Sequence, residues 1–136
     1  PLMNEADIKH LSDMGMEIGS HSHNHVRLGE LRRSEVVQNL QQSKAILEGI
    51  TGKKIISIAY PFGSIPGEKD NILKETGYAY GLSIYSAFEN RYCIRRFIYH
   101  DGDDAARLKA KLSLRYKIMR AVNDKLLQLK SATPKK

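Results

Sequence analysis

The stretch "MEIGSHSHNH", residues 16–25, decides how the chain is read. Met16 to Ser20 reads as a short buried strand, and its end delivers a loop holding three of the five histidines, His21, His23 and His25. Parallel β/α folds gather their chemistry at the C-terminal ends of strands, so a strand that runs into such a cluster points to that architecture.

The flanking segments keep the pattern. Upstream, Asn4 caps a helix expected over residues 5–14, with Ile8, Leu11 and Met14 inward and Gly15 just past its end. Downstream, Ser34 opens a helix with Val37, Leu40, Lys44 and Leu47 three or four residues apart and Ile46 on its flank. That helix is expected to stop before "GITGKK" at residues 49–54. "KIISIAY" (54–60) is β-branched and ends at the breaker "YPFG" (60–63). Residues 68–76 suit a short helix closed by Gly77, while "YAYGLSIYS" (78–86) and "YCIRRFIYH" (92–100) read as further strands. Alternation of this kind predicts an α/β fold of parallel β/α units, either an open sheet or part of a barrel. The histidine loop and "YPFG" then lie at the same ends of neighbouring strands.

Composition bounds the rest. The chain has 136 residues, enough for one domain, and its 41% hydrophobic content supports a core. No run of about 18 apolar residues is present to span a membrane as a helix. Cys93, the single cysteine, cannot form an internal disulfide and reads as a small core residue. The chain opens on Pro1 without a signal-peptide pattern and enters a helix at once, as an internal segment of a longer protein does.

The net charge of +7 is uneven. Residues 1–104 carry 12 Lys/Arg against 14 Asp/Glu, and residues 105–136 carry 10 against one. The expected division is therefore a domain over 1–104 and a basic amphipathic helix and tail over 105–136. In the tail, Leu108, Leu112, Met119, Val122, Leu126 and Leu129 form an apolar stripe over residues 105–130, and "SATPKK" is a polar end.

Two histidines four residues apart in one turn or tight loop bring their ring nitrogens to one metal, and His21 and His25 have that spacing. His23 points elsewhere if the segment is helical, as a spacer or a group supporting ligands or substrate. Ser22 and Asn24 suit orienting a ligand. The plainer alternative is a polar surface loop, because a pair is half of a tetrahedral site. His100, Asp101, Asp103 and Asp104 in "YHDGDD" qualify as further ligands by residue type alone, whereas His10 reads as an ordinary helix residue.

Taken together, these segments resemble the polysaccharide deacetylase family (the NodB-homology, carbohydrate esterase 4 group). "MGMEIGSHSHNHVRL" (14–28) is similar to its second motif, H-[S/T]-x-x-H, with His21, Ser22 and His25 on the pattern. "SKAILEGITGKKIISIAYPFG" (43–63) resembles the continuation through a helix and Thr-Gly turn to a strand ending in Pro-aromatic-Gly. "ETGYAYGLS" (75–83) resembles the next helix end and strand, so the likeness spans roughly residues 3–100.

The resemblance implies a distorted TIM-like (β/α) barrel, here partial, and a metal-dependent hydrolase removing N- or O-acetyl groups from a polysaccharide. It makes His21 and His25 ligands of a divalent metal, with zinc the expected ion. In the family an aspartate completes the metal site, a second aspartate is the general base and a late histidine the general acid. His100 in "FIYHD" is the candidate acid. Tyr60, Pro61 and Phe62 occupy the groove-lining third motif, with His23 and Arg96 as further substrate-side candidates. Ala59 stands where the family typically has arginine, and Arg95 or Arg96 from a later strand is the candidate replacement.

The family's first motif, a strand ending in Asp-Asp, has no counterpart. The only aspartates before the loop, Asp7 and Asp13, lie on the predicted first helix. Either the chain is the later part of a longer deacetylase, which its opening favours, or it is a relic that has lost the chemistry. In both cases weak or no activity alone is expected, with self-association through exposed strand edges and apolar surface.

Other classes remain. The basic stripe at 105–130 fits peripheral contact with an anionic membrane, or packing on the domain exterior. Nucleic-acid binding is not expected, because Tyr116 is the only aromatic in the tail. A non-catalytic carbohydrate or metal binder would use Tyr60, Phe62, Tyr78, Tyr80 and Tyr85 as stacking surfaces. The family's substrates place the expected location at the cell envelope or outside the cell.

Overall fold

The computed structural model describes residues 2–84, 90–96 and 101–113, together with 115–116, 118–119 and 122–123. The expectations for Tyr85, His100, Leu126 and Leu129 lie outside the described residues.

Helix α1 spans Glu5–Asp13, opened by a reciprocal cap. The Asn4 side chain accepts from the Asp7 N–H at 2.9 Å, and the Asp7 carboxylate accepts from the Asn4 N–H at 3.0 Å. Met14 is the C-cap and Gly15 turns left-handed at φ 92°. Met14 therefore falls off the inner stripe and is exposed, contrary to the sequence expectation, while Ser12 is buried.

Met16–Ser20 is not the buried strand expected. Its sheet contact is one parallel bridge, Ser20 to Ile58, with Ser20 N–H to Ser57 O and Ala59 N–H to Ser20 O, both 2.9 Å. A segment paired along one side and through a single residue keeps little regular strand geometry, and Met16 is exposed.

Helix α2 spans Arg33–Thr51, with Arg32 rather than Ser34 at its start. The Glu35 carboxylate accepts from the Arg32 N–H at 2.8 Å and pairs with its guanidinium at 3.0 Å. The helix also runs through Gly49, where the sequence suggested a stop, and ends at Gly52, which takes φ 68°. The left-handed residue, not the first glycine, sets the end. Its buried face is Val36, Leu40, Asn39 and Ser43, with Val37 and Leu47 only partly covered and Ile46 exposed.

Strands β1 (Ser57–Ala59), β2 (Tyr80–Ser83) and β3 (Ile94–Arg95) form a parallel sheet in that order. Ser57 pairs with Tyr80, and Leu82 with Ile94. Each is shorter than its sequence run. β1 ends because Pro61 has no N–H for the ladder and opens a 3₁₀ turn over Pro61–Gly63. Between β1 and β2, helix α3 (Lys69–Glu75) lies beside α2, and Arg33 pairs with Glu75 at 2.5 Å and Glu68 at 3.4 Å. The core joins α2 and α3 to the sheet through Leu28, Leu40, Ile58, Tyr60, Leu73 and Tyr78. Cys93 is buried as expected of a core residue.

Helix α4 spans Ala105–Leu112, capped by Asp104, whose carboxylate accepts from the Arg107 N–H at 2.7 Å. Ser113 is extended at ψ 150°, so the single helix expected over 105–130 is broken there. Helical residues recur at 115–116, 118–119 and 122–123. Leu108, Leu112, Met119 and Val122 are all exposed, so this stripe is not packed on the domain exterior among the described residues. No described helix is long and apolar enough to cross a membrane.

Candidate metal centre

The histidine loop leaves the sheet at Ser20 and meets the turn that ends β1. Beside Ser20, its neighbour in the sheet, Ala59, presents its carbonyl to His21, whose Nδ1 lies 2.6 Å from that oxygen. A carbonyl only accepts, so Nδ1 carries a proton, and in the neutral ring the lone pair is then on Nε2. This is the arrangement of metal-ligating histidines, in which a hydrogen bond to one nitrogen fixes the tautomer and aims the other. The sequence placed Ala59 only as a missing arginine, yet its backbone orients the His21 ring.

The His21 and His25 rings stand with centroids 4.9 Å apart, tilted by 58°. Phe62, from the turn after β1, packs against His25 at 4.7 Å, and the Arg27 guanidinium covers the Phe62 ring at 4.8 Å. The two candidate ligands are thus side by side and exposed, backed by an aromatic ring. Ser22 and His25 reach this geometry in a loop and not a helical turn, with φ 66° and 50°, and Phe62 is also left-handed at φ 57°. Such conformations are unfavourable for non-glycine residues and concentrate at functional sites. The Ser22 hydroxyl is buried without a hydrogen-bond partner among the described residues.

His23 takes a different position. Its side chain is exposed, while its backbone N–H donates to the Asn39 side-chain oxygen at 2.8 Å. Asn39 and its neighbours on α2 are absent from the sequence-based candidates. Their only local signal is a buried-face periodicity that includes polar residues.

The other candidates divide. Tyr60 is fully buried and donates its hydroxyl to Tyr92 O at 2.7 Å. Burial pushes its phenol pKa up. Tyr60 and buried Pro61 therefore shape the turn from below, and of the three motif residues only Phe62 is exposed. Arg95 is buried at the end of β3, so it is not an edge-strand surface charge, and Arg96 beside it is partly buried. Asp104 is occupied as the α4 cap, and Asp103 pairs with Lys111. Tyr78 is buried, whereas Tyr80 is exposed. Among the described residues no group of three His, Cys, Asp or Glu side chains is placed to hold a metal ion. The donors present fit half a tetrahedral site: two imidazoles, one with its free nitrogen fixed.

The paired histidines and the aromatic turn thus lie together beside the end of β1 in a parallel α/β sheet, the end at which such folds gather their sites. The polysaccharide deacetylase model matches residues 2–81, so the chain belongs to the polysaccharide deacetylase family. Among solved structures it is similar to a polysaccharide deacetylase from Bacillus cereus, at 24% identity and TM-score 0.69, covering 82% of this chain and 37% of that one. A Streptococcus pyogenes deacetylase in complex with acetate is 20% identical with TM-score 0.74, covering 82% of this chain and 51% of that one. At these identities the likeness shows the fold. A CE4 family pseudoenzyme from Bacillus anthracis is 28% identical with TM-score 0.52, covering 55% of this chain and 27% of that one. The chain thus spans about half or less of each of these structures. No curated protein matches it.

Proposed function

We propose that the chain is part of a metal-dependent deacetylase acting on an acetylated polysaccharide, with His21 and His25 as two ligands of a divalent metal, zinc first. The observation that carries this reading is the His21 Nδ1 bond to Ala59 O, which leaves Nε2 free beside His25. When bound, such a metal polarises the acetyl carbonyl and lowers the pKa of water. The chain's residues hold the imidazoles: Ala59 fixes one tautomer, and Phe62 limits the swing of the other ring. Phe62 is also half-exposed, which leaves part of its ring for contact with a sugar beside Arg27. His100 is the proposed acid, and Arg96 the proposed stand-in for the arginine absent at Ala59. The remaining ligand and base belong to residues beyond this half-site, on a sheet continued into a partial barrel at the cell envelope or outside the cell. Peripheral membrane contact through 105–130 and self-association of the domain complete the proposal.

The test is acetate release from an acetylated amino-sugar oligomer, with zinc added and after chelation. Metal-dependent release supports the enzyme. Zinc retained without release supports a second reading, a non-catalytic binding relic. That reading is favoured by the two-ligand set and by the similarity to a pseudoenzyme.

A further inference from the structure

We propose that Asn39 is a positioning residue for the histidine pair, acting through the backbone of His23, an inference that rests on the metal-site reading above. The loop from His21 to His25 carries two left-handed non-glycine residues, Ser22 and His25. Each such residue is strained and persists only when its surroundings over-determine it. The surroundings here are polar groups beneath the loop. The His23 N–H donates to Asn39 Oδ1 at 2.8 Å, between the two left-handed positions. The Ser22 N–H reaches Ser20 Oγ at 3.3 Å, and Ser20 Oγ lies 2.8 Å from Ser43 Oγ.

Asn39 and Ser43 sit four residues apart on one face of α2 and are 7% and 6% exposed, so they form a polar seam inside the apolar face of that helix. Neither residue suits that position by propensity, and burying an amide gains nothing unless it is bonded. Leucine there would serve the core better. What asparagine supplies that leucine cannot is an acceptor at the height of the His23 amide. That bond fixes the midpoint of the loop, and with it the relative orientation of two rings 4.9 Å apart. Asn39 bonds to the loop backbone, so its effect on metal is exerted through loop conformation.

The experiment measures zinc affinity by chelator competition, with the thermal midpoint of the metal-free protein alongside, for Asn39→Leu, Asn39→Ala and Asn39→Asp. Removal of groups that orient metal ligands weakens affinity by about tenfold to a hundredfold. Leu and Ala should therefore bind zinc at least about tenfold more weakly, with Leu keeping or raising the thermal midpoint. Asp, which retains the acceptor, should bind within about threefold of the unsubstituted chain or more tightly. Wild-type affinity in both Leu and Ala overturns the proposal. Equal weakening in all three overturns it as well, because the acceptor is then not the cause. Should Leu not fold, Ala and Asp carry the same comparison. His21→Ala separates the two layers. Zinc binding unchanged in His21→Ala sinks the metal site and this inference with it. Zinc lost there but unchanged in Asn39→Ala sinks the positioning role alone.

Discussion

His21 and Ala59 are joined by a hydrogen bond of 2.6 Å from Nδ1 to the carbonyl oxygen, across 38 positions of sequence. The bond ties the loop leaving the edge of the sheet to the last residue of β1. One side of the imidazole is consumed in holding the ring, so the other is available in a defined direction. His25 is placed by different means, by its own left-handed backbone and by Phe62. The site therefore depends on two neighbouring segments keeping their register.

His21→Ala and His25→Ala are expected to abolish zinc binding, and His23→Ala to leave it within about threefold. The reasoning is geometric. His23 contributes its backbone N–H to Asn39, and alanine retains that donor. Equilibrium dialysis of the three variants checks this. Equal loss in all three, or in none, would refute the ligand assignment.

Stability should fall as pH rises above about 10, the ordinary tyrosine range. Burial raises the phenol pKa of both Tyr60 and Tyr78 in the folded chain. Above pH 10 the unfolded chain releases these protons while the folded chain keeps them, so alkali favours unfolding. Below that pH both states are protonated and the contribution is fully present. Urea midpoints from pH 8 to 11 should show the decline, and Tyr60→Phe should make it shallower. An unchanged slope in Tyr60→Phe would remove Tyr60 from the account.

Gly81→Ala and Gly49→Ala should move stability in opposite directions. A Cβ on Gly81 would lie 2.4 Å from Tyr92 O and 2.5 Å from the Tyr60 hydroxyl, inside the bond that holds Tyr60. Relief requires the strand or the ring to shift, at roughly 1–3 kcal/mol. Gly49 lies within α2, where a Cβ meets nothing within 4 Å, so alanine there should add about 0.5–1 kcal/mol. Denaturant titration of both variants reads the two signs, and a loss of stability at Gly49 would contradict the helical placement.

These contrasts show which parts of the molecule were legible in the sequence. Asn4 as a helix cap is a local signal, and the structure forms it, with Asp7 completing the reciprocal bond. The alternation of helix and strand also depends on local pattern, and the parallel pairing of β1, β2 and β3 follows it. Gly49 and Gly52 look alike in sequence, and only the backbone conformation at the helix end distinguishes them. Tyr60 read as groove lining because its motif does, whereas it is buried in the core and its hydroxyl donates to Tyr92 O, 32 residues away. Asn39 was invisible for the same reason: its partner is a backbone amide 16 residues earlier, which no residue type announces. The spacing of His21 and His25 is itself local, and the structure does set the two rings side by side.

Phe62 permits a final separation of backbone strain from ring packing. Its φ of 57° is left-handed, a region where glycine is at ease and phenylalanine is not. Its ring nevertheless sits 4.7 Å from the His25 ring and carries Arg27 on one face. Phe62→Gly removes the strain and the ring together, whereas Phe62→Ala removes the ring and keeps a side chain at positive φ. Because the ring is 49% exposed, little core is lost in either case. Glycine should therefore be more stable than alanine, because relief of about 1–3 kcal/mol of folded-state strain exceeds the about 0.4–1 kcal/mol that its more flexible unfolded chain costs. Zinc affinity should fall similarly in both, since neither variant supports the His25 ring. Thermal melts and chelator competition on the two proteins give independent readouts. Equal affinity to the unsubstituted chain in both would show that His25 keeps its orientation from the loop backbone alone.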